Sequence, residues 1–242
     1  MIYAGTSGWS YPTWKPQFYP AKLAAAKFLQ YYATRLNSVE VNYTFRHYAS
    51  EKTQLNWCAQ TPAEFRFSAK ANQGITHIKR LKDAAEDARG FLASLQPLVS
   101  AGKLGFVLFQ LPPFLKADAA LLKDFLHGLP TGRFAFEFRH ESWFKDEYFD
   151  LLRAKNAAIC VAESEKLETP DVVTADFCYY RMRKGDYSTA ERQAIAKRLE
   201  GHAAAGRDVY IYFKHEETPD GALYAEELLR QFGVTPAKPP IS

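Results

Sequence analysis

The feature that most constrains this chain is an alternation that runs from end to end. Short apolar runs, with starts at Ile2, Ser38, Phe65, Leu104, Phe134, Ala157, Phe177 and Val209, are separated by segments of helical periodicity. Some runs are apolar on both faces, as in Leu104-Gly-Phe-Val-Leu-Phe109. Strands read this way when helices cover them on both sides, which is the situation of a parallel sheet. Between the runs, Leu81, Ala84, Ala88, Phe91, Leu95 and Leu98 recur at spacings of three and four, giving one apolar helix face. Ser188-Thr-Ala-Glu191 has the form of a capping box, and Gly233 after Leu228, Leu229 and Phe232 reads as a helix stop.

Repeated strand–helix units imply right-handed parallel crossovers. Eight units in 242 residues suit a closed TIM-type (β/α)8 barrel, the expected α/β fold. A doubly wound open sheet is the alternative, but no G-x-G-x-x-G follows the first strand. With no linker or shift of composition, residues 1–242 are expected to form a single domain, with 234–242, which holds three prolines, as a mobile tail.

The reading of cellular setting is plain. No basic segment followed by an apolar stretch opens the chain, and no apolar run approaches the roughly 20 residues of a membrane helix. Cys58, Cys160 and Cys178 are far apart and form no C-x-x-C pair, so they are expected to be reduced thiols of a cytoplasmic protein. A net charge of +4, without a dense Lys/Arg stripe, permits an anionic ligand; nucleic acid is a less favoured partner.

In a β/α barrel, active sites form at the C-terminal strand ends, and residues two apart on a strand share a face. The parity that sends apolar residues toward the helices sends a polar set inward: Glu40 and Asn42, Ser68 and Lys70, Gln110, Glu137 and Arg139, Arg181, and Lys214, with Glu163 from the sixth strand. The same strands begin apolar, so the pattern is that of a polar mouth on a packed barrel. The first turn, Thr6-Ser-Gly-Trp-Ser-Tyr11, adds Ser7, Trp9 and Tyr11, and Gly5 and Gly8 there allow backbone conformations closed to other residues. Trp9, Tyr11, Trp14 and Trp143 are candidates for a stacking platform, and His77 and His140 flank the strand ends.

Four segments carry a resemblance. They are Gly5-Thr-Ser-Gly-Trp-Ser-Tyr11 with Trp14 and Phe18-Tyr-Pro20; Val39-Glu-Val-Asn42 with Phe45; Phe67 and Lys70 with Ile75-Thr-His77 and Leu81; and Gln110-Leu-Pro-Pro113 with Glu137-Phe-Arg-His140 and Trp143. In order and spacing the chain resembles the family called domain of unknown function 72, or YecE-like. The resemblance implies a TIM-type barrel and carries no established activity. The chain departs from the family pattern at Arg46, at Arg181-Met-Arg-Lys-Gly185 and at Phe213-Lys-His215, and the last two changes add positive charge beside strands seven and eight.

Three chemistries are open to these residues. Glu40 and Glu137 have the residue types of a general acid and base, as in glycoside hydrolysis, or of a buried ion network. Lys70 suits a fixed positive charge, a base or a nucleophile. His77, His140 and His215 form neither His-x-His nor His-Glu-x-x-His, so a divalent metal is a minor expectation; no redox cofactor is expected. The leading expectation is an enzyme doing acid–base or hydrolytic chemistry on a small anionic or sugar-like substrate. Catalysis would fall to Glu40, Glu137 and Lys70. Binding would fall to Ser7, Trp9, Tyr11, Asn42, His77, Gln110, Arg139, His140, Trp143 and Arg181. The alternatives are a non-catalytic module for nucleotides or single-stranded nucleic acid, and a structural protein whose mouth is an ion network.

Overall fold

A computed structural model describes residues 1–163, 167–214 and 217–239; His215 and the last three residues of the expected tail lie outside that range. Eight strands, β1 (Ile2–Thr6), β2 (Ser38–Val41), β3 (Arg66–Lys70), β4 (Leu104–Gln110), β5 (Phe134–Glu137), β6 (Ala158–Ala162), β7 (Phe177–Met182) and β8 (Asp208–Phe213), pair in parallel in the order β1-β8-β7-β6-β5-β4-β3-β2. Around them lie α1 (Phe28–Tyr32), α2 (Glu51–Ala59), α3 (Ala85–Ser94), α4 (Gln96–Ser100), α5 (Ala119–Gly128), α6 (Asp146–Lys155), α7 (Thr189–Ala204) and α8 (Asp220–Gln231). The expected TIM-type barrel is therefore the observed fold, and an open sheet is not.

The ring departs from strict alternation at two crossovers. Between β3 and β4 the single apolar face read from Leu81 to Leu98 is split over α3 and α4. Pro97 stands in the first turn of α4, where its missing N–H does no harm, and it could not continue α3. Arg80, Leu81 and Asp83 sit in the left-handed region (φ 53°, 70° and 50°), so the helix starts only at Ala85, although Leu81 is still buried. Between β6 and β7 no helix occurs among the described residues, and Val172 and Val173 pack against the core there instead. Thr174 ties this segment to β6, accepting from Ile159 N–H at 2.9 Å and donating to Ala157 C=O at 2.7 Å. The capping box at Ser188 and Glu191 is present, and Gly233 follows α8 with φ of 65°.

Closure between β1 and β2 is made largely by side chains. One parallel bridge joins Ser7 to Glu40. Below it, Asn37 accepts from Ala4 N–H (2.9 Å) and donates to Ile2 C=O (2.8 Å), standing in for a missing rung of the ladder. Tyr32 OH accepts from Thr6 N–H and donates to Ser38 C=O, each at 2.9 Å. Gly5 serves this seam by proximity rather than by unusual dihedrals, since a Cβ there would lie 1.9 Å from the Ser38 carbonyl oxygen. Gly8, by contrast, does adopt a positive φ, 101°.

Two cores result. The larger lies between strands and helices; the smaller fills the barrel with Phe106, Leu108, Cys160, Phe177, Tyr179, Tyr210 and Tyr212. At the closed end Tyr3 stacks on Tyr210, centroids 4.6 Å apart. A tyrosine gives such an interior an apolar body and a polar tip, and the tip finds partners inside the barrel: Tyr212 OH meets Ser38 Oγ at 2.6 Å and Ser68 Oγ at 2.7 Å.

Candidate functional site at the C-terminal mouth

Above the tyrosine layer the inward parity continues into charged residues. Register places Gln110 beside Glu137 on β4 and β5, and Ala162 beside Arg181 on β6 and β7. The side chains join into one chain of hydrogen bonds across the barrel. Lys70 Nζ donates to Gln110 Oε1 (2.8 Å), and Gln110 Nε2 donates to Glu137 Oε1 (2.9 Å). Arg181 donates to Glu137 and, through Nη2, to Glu40 Oε1 at 2.7 Å. Tyr179 OH closes the chain on the second oxygen of Glu40.

Burial sorts these groups by what they can do. Glu40 is 0% exposed, Glu137 5% and Arg181 4%. Burial resists ionisation of both carboxyls, but the charges of Arg181 and Arg183, with hydrogen bonds from Arg181 to both, from Tyr179 to Glu40 and from Gln110 to Glu137, outweigh it and hold both below the usual carboxylate range. Neither is therefore kept protonated at neutral pH, as a general acid must be. Glu40 is sealed beneath the floor and positions Arg181; Glu137 reaches the cleft. Lys70 behaves differently. Burial, then the nearby Arg181, pull its amine down to about 8, only partly opposed by Glu40 and Glu137. Its Nζ also lies 4.0 Å from the centre of the Phe45 ring.

These residues floor a cleft of about 800 Å³, lined by Asn42, Lys70, Gln110, Glu137, Arg139, His140, Glu163, Thr169, Arg181 and Arg183 among others. That is within the range of sites for small organic ligands. Arg139 is exposed on its wall and enters no ion pair among the described residues. His140 lines the cleft while its Nδ1 caps the turn at Ser142 N–H, 3.2 Å. His77 is not among the residues that line the cleft; it is bonded to Thr76 Oγ1 (2.9 Å) and edge-on to Phe45, and burial, then Lys70 and Arg139, lower its pKa.

The remaining sequence candidates do not line this cleft. Ser7 is buried beside Glu40, with its backbone oxygen accepting from Tyr11 OH. Trp9 packs edge-on to Trp57, Tyr11 stacks on Trp14, and Trp14 and Trp143 are wholly buried. Trp143 stacks on Phe138 (4.6 Å) and donates to Leu115 C=O (2.8 Å). The expected aromatic platform is thus core packing, because these rings occupy the outward parity or the turns that cover it. One residue not singled out for the site belongs to it: Tyr179, two positions before Arg181, for which parity was the only signal. Arg183, two positions after Arg181 and expected only as added positive charge at the rim, lines the cleft itself. Among the described residues no three His, Cys, Asp or Glu side chains are grouped to hold a metal ion, and no helix is long and apolar enough to cross a membrane.

Comparison with known proteins agrees with this architecture. UPF0759 protein YunF of Bacillus subtilis (strain 168) is 34% identical over 157 residues, 62% of this chain and 55% of that protein, so the match spans little more than half of the relative. The crystal structure of a DUF72 family protein from Thermotoga maritima MSB8 superposes with a TM-score of 0.86 at 26% identity, covering 96% of this chain and 99% of the other. A DUF72 family protein from Enterococcus faecalis V583 shares the fold, with a TM-score of 0.79 at 19% identity over 95% and 96% of the two chains. Residues 3–241 match the family described as protein of unknown function DUF72, and the chain belongs to that family.

Proposed function

We propose that the mouth of this barrel binds a small anionic, hydroxylated substrate and that Lys70 moves a proton to or from it. The observation that carries this reading is the setting of Lys70. Its amine lines the cleft and is held by a neutral amide at 2.8 Å, and it is depressed to about 8. A proton carrier works best with a pKa near the operating pH, and such perturbed groups gather at functional sites. Arg139 and Arg183 supply planar donors suited to carboxylate or phosphate, while Asn42 and Thr169 supply partners for hydroxyls of a sugar-like ligand.

Hydrolysis by a Glu40–Glu137 pair draws less support, since both carboxylates are committed to one guanidinium. A nucleotide or single-stranded nucleic-acid module is also less supported, because the tryptophans that would stack on bases pack away from the cleft. The free thiols at Cys58, Cys160 and Cys178 suit a reducing compartment, which supports action in the cytoplasm.

The test is proton exchange. Small hydroxy acids, keto acids and sugar phosphates are incubated with the protein in D2O and followed by ¹H NMR. Loss of a substrate C–H signal with wild type, but not with Lys70→Met, is the expected result. Exchange that persists in Lys70→Met, or a complete lack of exchange with ligands that bind, would overturn the assignment of Lys70.

A further inference from the structure

We infer that the substrate carries two separate anionic groups, one seated at Lys70 and Arg139 and the other at Arg183 and Lys214, where the mouth opens into an adjoining cleft. This rests on the reading of the mouth as an anion site and deepens it.

A second cleft, about 780 Å³, opens at the same end of the barrel and shares Ala162, Glu163, Leu167, Thr169 and Arg183 with the first. Together they offer far more room than one small anion needs. Arg183 and Lys214 both line the second cleft. The β7–β8 ladder sets Met182 opposite Phe213, and Lys214 N–H bonds to Met182 C=O at 2.8 Å, so Arg183 and Lys214 are the next positions on adjacent strands. They share the parity of Arg181 and Tyr212, which face the barrel interior.

The donors of Arg183 are not used up. Its Nη2 is buried without a hydrogen bond among the described residues and lies 3.7 Å from Glu40 Oε1, an oxygen already taken by Arg181. The flanking cations are committed elsewhere: Lys184 pairs with Glu191 (2.6 Å) and Arg198 faces Asp171 (3.7 Å). In the first cleft, Lys70 and Arg139 act on the same neighbour, His77. Lys70 and Arg139 line the first cleft and not the second, Lys214 lines the second and not the first, and Arg183 stands on the wall they share, so the cations run from one cleft into the other.

Carboxylates lie between them. Glu137 lines the first cleft, and Glu163 lies on the shared wall, held by Tyr187 OH and by Arg183 N–H at 3.3 Å. A ligand anionic throughout would be repelled there. A ligand with charged heads and a neutral, hydroxyl-bearing middle would donate to these oxygens.

Calorimetric titration at fixed ionic strength tests this, with methylphosphonate as the single-headed probe and α,ω-bisphosphonates of increasing chain length as two-headed ones. Linking two groups that bind together raises affinity steeply at the span that matches the sites. Expected is a chain length that binds at least about tenfold tighter than methylphosphonate. Lys214→Met collapses that difference, whereas Lys123→Met, the same charge change on the outer face of α5, keeps it. If every bisphosphonate binds like methylphosphonate, or the gain survives Lys214→Met, the two-headed substrate is overturned while the anion site stands. If none of the probes binds, the anion site itself falls as well.

Discussion

Lys70 Nζ donates to Gln110 Oε1 at 2.8 Å, and that amide in turn separates the amine from Glu137. An amide between an ammonium and a carboxylate lets the barrel hold both without fusing them into an ion pair. Glu137 stays ionised against Arg181, and Lys70 keeps a proton it can release.

The first prediction follows from that release. Burial and Arg181 lower Lys70 to about 8 from an ordinary 10.5. Between these values the unfolded chain binds more protons than the folded one, so stability rises with pH across the window. Relative to Lys70→Met, the wild type should gain about 2 kcal/mol between pH 7 and pH 9.5. Denaturant unfolding of both proteins at the two pH values measures it; an unchanged difference would mean that Lys70 titrates normally.

Arg181 gives the second. Removing one partner of a buried ionic group strands the others, at roughly 3–5 kcal/mol. Arg181→Met should lose about that much at pH 7, and adding Glu40→Gln and Glu137→Gln should recover most of it. The pH dependence also reverses. In the wild type both carboxyls titrate below their usual range, so their stabilisation is present above that range and lost as pH falls. Without Arg181, burial raises them, and the variant should gain on wild type as pH falls from 7 toward 5. Parallel denaturant midpoints would show either behaviour.

Much of this site was legible in the sequence because a strand has period two. Glu40, Lys70, Gln110, Glu137 and Arg181 all fell on the inward parity, and five of the eight strands begin where the apolar runs begin, the other three within one residue. What parity does not encode is depth. Glu40 and Lys70 share it, yet one is sealed under Tyr179 and Arg181 and the other is not. Aromatic turns were ambiguous for a similar reason: Trp143 suits a cleft or a core equally, and only the stacking of Phe138 decides. The seam was hidden too, since Asn37 and Tyr32 act on backbone far away in sequence.

That seam carries the third prediction. Tyr32→Phe leaves the buried Thr6 N–H and Ser38 C=O without their partner, a loss of roughly 1–3 kcal/mol for each unsatisfied group. Gly5→Ala forces a Cβ to within 1.9 Å of the Ser38 carbonyl oxygen, and overpacking of that kind costs about 3 kcal/mol or more. Amide hydrogen exchange should speed up at Ala4 and Thr6 before it does in β4 or β5. Uniform acceleration would show instead that the seam opens only with the whole barrel.

The last prediction separates binding from folding at Arg139. Its side chain is exposed and outside the ion network, so Arg139→Ala should change stability in anion-free buffer by no more than about 0.5 kcal/mol. The anion effect is another matter. A ligand present at a hundredfold excess over its Kd and bound only to the folded state adds about 2.7 kcal/mol. If Arg139 contributes tenfold to affinity, the variant should gain only about 1.4 kcal/mol at the same concentration. Sulfate is the probe of choice, because its charge does not change over the pH range tested. Wild-type stabilisation by sulfate should then weaken above pH 8, as Lys70 loses the charge that helps to hold the anion. Thermal melts of both proteins, with and without sulfate at fixed ionic strength, give all of these quantities. Equal sulfate gains in wild type and Arg139→Ala, unaltered from pH 7 to pH 9.5, would remove both Arg139 and Lys70 from the anion site.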